Sequence, residues 1–288
     1  MDADPEAEQA ASKIFQTILI ALIFSACNNS ENKPTTVYPN KATVPAESTA
    51  AKKPVVALPE KKDTTAAKKR VIYLTFDDGP NKGTGNVMDI VREENVPITM
   101  FLIGRQVHDS KWQNTTFDSI ASSHLIEIQN HSYTHAHNHF QKFYLSPASV
   151  IKDFIRSADT LRLGSKIIRT PGRNIWRLEN ISSTDIKQSA AAADSLRNDG
   201  FKLVGWDVEW RFDNHLKLEK TTDELLRQLD TLFTKEQMKI PGNLVLLAHD
   251  QSFADATDST SLHNFIHKLK ESDLYSFETI SKYPAIKN

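Results

Sequence analysis

Hydrophobic and polar positions fall into two alternating patterns once the chain passes residue 70. Short apolar runs bounded by turn residues read as buried strands near residues 71–78, 98–103, 125–130, 166–169, 202–208, 243–249 and 274–278. Between them, apolar residues recur with helical period over 86–94, 147–163, 188–198, 222–233 and 261–270. Pro147 is placed to open one of these helices and Gly200 to stop another. Strand and helix in turn predict a largely parallel sheet, here an α/β domain of closed but irregular β/α barrel form.

The pattern is different before residue 70. An apolar stretch over 14–26 leads into the chain's single cysteine, Cys27, with small residues just before it. That length suits a signal segment better than a membrane-spanning helix. The segment resembles a bacterial lipoprotein leader, which implies cleavage and lipidation at Cys27, although Phe24 and the acidic start depart from that pattern. A buried core helix and a retained N-terminal anchor are the competing readings. From Asn28 to Lys69 the residues are mostly Asn, Lys, Pro, Thr, Ala and Ser with no hydrophobic period. Such a stretch buries too little apolar area to offset its ordering entropy, and reads as a disordered linker. The expected organisation is a signal peptide over 1–27, a linker over 28–69 and one catalytic domain over 70–288.

Candidate chemistry collects at the ends of the predicted strands. Val71-Ile72-Tyr73-Leu74 runs into Thr75-Phe76-Asp77-Asp78-Gly79-Pro80, so two adjacent carboxylates sit at a strand's C-terminal mouth. Asp-Asp-Gly-Pro is also ordinary turn chemistry. A divalent ion on one carboxylate would leave the other free as a base. His131 and His135, four residues apart after another strand-like run, would share one face if a helical turn begins near Ser132. Together with one Asp they form a metal-binding set that leaves coordination positions open. His137 and His139 break the spacing and read as solvated or supporting residues. Further along, Arg169 ends a short strand, Gly205-Trp206-Asp207-Val208-Glu209-Trp210 carries two acids between two indoles, and Asn243 to His249 is an apolar strand that delivers His249 to its end. Successive strands that each end in a reactive side chain mark a barrel-type rim.

In this order the segments resemble the motifs of the polysaccharide deacetylase family, the NodB-homology domain of the carbohydrate esterases. Thr75 to Gly79 and His131 to His135 match its first two motifs; Arg169-Thr170-Pro171 and Leu247-Ala248-His249 match the third and fifth at their key positions. The resemblance implies a distorted barrel of about seven strands. It implies that Asp78, His131 and His135 hold one divalent metal ion, usually zinc, and that Asp77 is the general base toward the attacking water, held ionised by Arg169. His249 would be the general acid toward the departing sugar amine. The backbone N–H of Gly172 would help stabilise the oxyanion, and Leu247 and Trp210 would wall a pocket for the acetyl methyl. Two departures stand out. The fourth motif usually has Asp before its Trp, whereas here Glu209 precedes Trp210 and the other acid, Asp207, lies two residues back. On a strand both point to one face, so either could reach His249, with Glu209 the favoured partner. After Pro171 the usual aromatic is replaced by Gly172-Arg173-Asn174, which implies a more open subsite with Arg173 free to contact the sugar or an anionic substituent.

Charge adds little: a formal net charge of −1 supplies no field that would select nucleic acid. The expected activity is removal of N-acetyl groups from an N-acetylhexosamine polymer, with peptidoglycan first and chitin-like or exopolysaccharide chains next. The leader implies an exported protein of the cell envelope, tethered to the membrane by lipid at Cys27. The competing readings are O-acetyl ester hydrolysis on a plant polysaccharide such as xylan, a non-catalytic glycan-binding module on the same fold, and, by ligand type alone, an iron oxygenase.

Overall fold

The computed structural model describes residues 70–286. Expectations for residues 1–69, Cys27 among them, lie outside the described residues. Ten strands form one sheet: β1 (Arg70–Gly79), β2 (Ile98–Leu102), β3 (Ile126–Asn130), β4 (Ile167–Ile168), β5 (Ile175–Arg177), β6 (Ser182–Thr184), β7 (Lys202–Leu203), β8 (Val208–Glu209), β9 (Asn243–His249) and β10 (Tyr275–Phe277). Six longer helices accompany them: α1 (Thr84–Glu94), α2 (Lys111–Ser122), α3 (Pro147–Leu161), α4 (Ala190–Asn198), α5 (Thr222–Thr234) and α6 (Ala256–Glu271).

The sheet order is β6-β5-β7-β4-β3-β2-β1-β9-β8, with β10 beside β1. Pairing is parallel throughout, apart from the contacts of β5 with β6 and β7. The strands β4, β3, β2, β1, β9, β8 and β7 make up the parallel series of a curled, distorted β/α barrel. The expected closure is incomplete: β6 and β8 end the path instead of pairing with each other. Strand β1 is its centre. Its first residues pair with β10 and its last with β2 along one edge, while β9 pairs along the whole of the other.

Alternation along the central strands separates a core from a site. Ile72, Leu74 and Phe76 of β1, Ile98, Met100 and Leu102 of β2, and Leu244, Leu246 and Ala248 of β9 all join the core beneath the surrounding helices. The intervening residues face the inside of the curl. There, Tyr73, Phe101 and Val245 pack with Trp176, Ile280, Tyr283 and Ile286. Two positions higher on the same face, beyond Thr75 and Leu247, register sets Asp77 beside His249 on neighbouring strands. The period of two therefore sends apolar residues outward and carries the reactive ones to the inner rim.

The C-terminal segment closes the opposite end. The Ile280 N–H donates to Thr99 Oγ1 (2.9 Å) and the Ser281 N–H to Glu127 Oε1 (3.1 Å). Tyr283, fully buried, packs edge-on to Tyr73 with ring centroids 5.1 Å apart. Among the described residues no helix is long and apolar enough to cross a membrane.

Local sequence explains most of the differences from expectation. Helix α2 escapes the periodicity reading because only Phe117 and Ile120 are buried along it. Its signal is the cap: Ser110 accepts from the Gln113 N–H, the spacing of a capping box. The run over 202–208 is not one strand, because pairing stops after Leu203 and resumes at Val208. The β5–β6 hairpin is three residues per strand, too short for alternation to register. Helix α6 starts at Ala256, five residues before its expected start, because Asp255 caps the Thr257 N–H.

Tyr283→Ala empties the floor of the curl. We expect it to cost about 3 kcal/mol or more of stability, as large aromatic truncations in cores do, read as a lowered midpoint in urea denaturation.

Candidate functional site

The site is built on the upper end of β1. Asp77 is 2% exposed, and its Oδ1 accepts a hydrogen bond from Arg169 Nη1 at 2.8 Å. Arg169 is fully buried and has every branch engaged. Nη1 also donates to Thr75 Oγ1 (2.7 Å), Nε to the Val204 carbonyl (3.2 Å) and Nη2 to the Gly205 carbonyl (3.0 Å). The guanidinium lies over the Phe101 ring, 4.2 Å from its centroid. Its partners fix both position and orientation, and the fork aims Asp77 Oδ2 toward the neighbouring histidine, 3.7 Å from His131 Nε2.

Asp78, the next residue, turns out of the strand with φ 74°, in the left-handed region that Asp tolerates better than most side chains. Its Oδ1 stands 3.3 Å from His131 Nε2 and 3.1 Å from His135 Nε2. The two histidines do not converge through a helical face, as the spacing predicted. The backbone from Ser132 to Asn138 turns instead through a series of positive φ angles, at Ser132, His135, Ala136, His137 and Asn138, after the Ser132 N–H is taken by the Asn130 side chain. The result at the ligand atoms is the same: one atom from each of Asp78, His131 and His135 lies within 4.8 Å of the others. His137 and His139 are exposed and outside this group.

The chemistry of these donors fits a cation. His131 Nδ1 lies 3.0 Å from the Arg169 carbonyl, which can only accept, so Nδ1 carries the hydrogen and Nε2 presents a lone pair to Asp78. Asp78 Oδ1 is itself buried and has no hydrogen-bond donor. Two acceptors facing each other at this distance call for a positive charge between them, and Asp plus two His is a set that suits a divalent transition metal. Burial pushes the Asp78 carboxyl up, but positive charge on the imidazole side of the cluster outweighs it and holds the group well below the ordinary carboxylate range. It stays ionised at neutral pH, as a ligand must.

A cavity of about 380 Å³ opens above these groups. Asp77, Asp78, His131, His135, Gly172, Leu247 and His249 line it, together with Phe140, Asp185, Trp206, Glu209 and Arg211. His249 Nε2 stands 4.0 Å from Asp78 Oδ2, its ring packed edge-on to Phe212 with centroids 5.1 Å apart. Gly172 has φ 61°, a conformation L side chains rarely adopt, and a Cβ there would press to 3.0 Å from the Phe140 ring, so a substitution would be strained. Among the described residues its N–H donates to no protein acceptor and is available at the cavity wall.

Four expected site residues are placed differently. Asp207 does not face His249: its carboxylate accepts the Lys239 N–H (2.9 Å) and the Val245 N–H (2.8 Å). Strand β8 is only two residues long, so the shared-face argument fails one residue before it, where the Asp207 side chain instead serves the edge of β9. Burial there pushes the carboxyl up to about 6. Glu209 does reach the cavity, but its Oε2 lies 3.5 Å from Arg211 Nε, and His249 Nδ1 is buried with no partner among the described residues. Trp210 is fully buried in the core against Phe253 and Phe265, and Trp206 takes the expected place at the cavity wall opposite Leu247. Arg173 turns from the cavity onto Tyr144, with its Nη1 donating to the Gly172 carbonyl. Asp185 was missed altogether. It enters the cavity because its carboxylate accepts the Asn174 N–H across the β5–β6 hairpin, a connection with no local sequence signal.

Known proteins resemble this chain in sequence and in fold. Residues 64–173 match the family model described as polysaccharide deacetylase. A chitooligosaccharide deacetylase from Bradyrhizobium sp. (strain ANU 289) is 40% identical over 195 residues, covering 65% of this chain and 77% of that one. The peptidoglycan-N-acetylglucosamine deacetylase of Bacillus cereus is 27% identical over 192 residues, covering 63% and 60% respectively. Against several curated relatives, the chain spans two thirds of their length or less. The fold matches that of a family 4 carbohydrate esterase from Streptomyces lividans, solved in complex with acetate, with a TM-score of 0.54 at 20% identity over 75% of this chain and 95% of that one.

Arg169→Met leaves the Asp77 carboxylate buried without its partner. We expect a loss of about 3–5 kcal/mol in denaturant unfolding, and expect that adding Asp77→Asn restores part of it, since the orphaned charge is then gone.

Proposed function

The chain belongs to the polysaccharide deacetylase family, and from that premise we propose that it hydrolyses N-acetyl groups on an N-acetylhexosamine polysaccharide, peptidoglycan foremost, using zinc held by Asp78, His131 and His135. One observation carries the reading. A carboxylate pinned by a buried guanidinium and an imidazole on the adjacent strand face the same three-ligand cluster inside one cavity.

When bound, the ion supplies Lewis acidity, which makes water easier to deprotonate and the acetyl carbonyl easier to attack. The protein's own groups divide the proton transfers. Asp77 Oδ2 accepts a proton from the attacking water as its oxygen bonds to the carbonyl carbon, and Arg169 holds that carboxylate fixed through Oδ1. The Gly172 N–H, at the cavity wall, donates a hydrogen bond to the oxygen that gains charge. Protonated His249 gives its Nε2 proton to the sugar nitrogen as the carbon–nitrogen bond breaks, leaving acetate and an amine. Leu247 and Trp206 supply the apolar wall against which the methyl rests. An ester substrate would need less help from His249, because an alkoxide leaves more readily than an amide anion.

The proposed setting is the cell envelope. The support is the apolar leader ending in small residues and Cys27, with a long polar linker before the domain. Cys27→Ser should move the protein from the membrane pellet to the soluble fraction after cell lysis; unchanged partitioning would reject lipid tethering.

Acetate release from N-acetylated and O-acetylated oligosaccharides, after chelation and metal add-back, tests the activity. Asp77→Asn should keep the metal stoichiometry and lose roughly 10²-fold or more in turnover. His131→Ala should lose metal and turnover together. Substantial turnover in Asp77→Asn would remove that residue as the base, and a strong preference for esters would favour the xylan-type alternative.

A further inference from the structure

A second hollow, of about 480 Å³, lies on the same rim between the loop after β1 (Pro80, Asn81, Lys82) and the segment from Arg105 to Gln113 that follows β2. Strands β1 and β2 are parallel neighbours, so both walls rise from the end of the sheet that carries the catalytic residues. The connection is direct. The Ile103 N–H donates to the Gly79 carbonyl (3.1 Å), Gly104 N–H to Ser132 (3.0 Å) and Arg105 N–H to Tyr133 (3.1 Å). The backbone flooring the hollow is thus stitched to both segments that supply cation ligands. Lys82 lies four residues beyond Asp78, which is at most about 14 Å of fully extended chain.

Trp112 dominates the wall. It stands in the first turn of α2, held there by the Ser110 cap, and is 49% exposed. Its indole N–H has no acceptor among the described residues, and the side chains of Lys82, Arg105, Gln106 and Asp109 have no hydrogen-bond or ion-pair partner among them either. The hollow beside the catalytic cavity differs, because its groups are engaged with one another: Lys220 with Gln228, Asp207 with two backbone N–H groups, and Glu209 with Arg211.

An aromatic plane ringed by uncommitted donors and acceptors complements a pyranose, which has an apolar C–H face and a rim of hydroxyls. A protein partner would call for a broader apolar patch than one indole among charges. An anion would meet Asp109 beside the two cations. We propose that this hollow binds a further sugar ring of the polysaccharide chain whose acetyl group occupies the catalytic cavity, stacked on Trp112 with its hydroxyls taken by Arg105, Gln106, Asp109 and Lys82. The inference rests on the deacetylase reading and adds to it a preference for long chains.

Acetate release from N-acetylglucosamine oligosaccharides of two and six residues tests it, alongside titration of intrinsic tryptophan fluorescence with the same sugars. Trp112→Ala should raise KM for the six-residue chain about tenfold, the equivalent of losing one good stacking contact, with kcat little changed and with a much smaller rise for the two-residue chain. Trp112→Phe should recover most of the loss. The six-residue sugar should shift the fluorescence of the wild type clearly more than that of Trp112→Ala, in which Trp206 at the catalytic cavity still reports. Equal KM changes at both lengths, or none, would overturn the site while leaving the activity intact. A Trp112-dependent fluorescence shift without acetate release from any glycan would keep the site and reject the activity; absence of both signals would reject both.

Discussion

The buried ion pair between Arg169 and Asp77 holds the strands and the chemistry in one arrangement. Placing a guanidinium where no water reaches it is costly, and the cost is offset only because every branch finds an acceptor and the plane lies on Phe101. Those acceptors come from β1 and from the turn after β7, while Arg169 itself follows β4 and its carbonyl receives the His131 ring hydrogen. One residue thus ties three parts of the sheet together through its side chain, orients His131 through its carbonyl and fixes the Asp77 carboxylate in place. A change that loosens it disturbs folding and reactivity alike.

That Asp77, Asp78, His131, His135 and His249 gather at one cavity was legible in the sequence because each follows an apolar run, and strand ends in such folds meet at one rim. Their local geometry was not. His131 and His135 are spaced for a helix, yet the chain brings them together through left-handed turns, an arrangement set by Asn130 and Ser132 capping nearby N–H groups. Spacing fixes which atoms can meet without fixing the path between them.

Indoles and acids near β8 mark the other boundary of legibility. Trp206 and Trp210 bracket one short segment, and alternation alone gives no reason to send the first to the cavity and the second to the core. The choice depends on how α5 and α6 close over the sheet, which no window around Trp210 contains. Asp207 was misplaced for a related reason: parity holds only while a strand continues, and β8 pairs over just Val208 and Glu209. Helix α2, by contrast, was detectable from Ser110 and Gln113, even though its apolar stripe is thin.

Strand β1 opens the described fold, yet it takes partners from β9, which begins at Asn243, and from β10, which begins at Tyr275. During synthesis the two aspartates therefore emerge well before β9 and β10, and β1 lacks those neighbours until the chain beyond Tyr275 has left the ribosome. The catalytic centre can assemble only once His249 has emerged to sit beside Asp77, and until then a nascent polypeptide of this topology has its central strand incompletely knit.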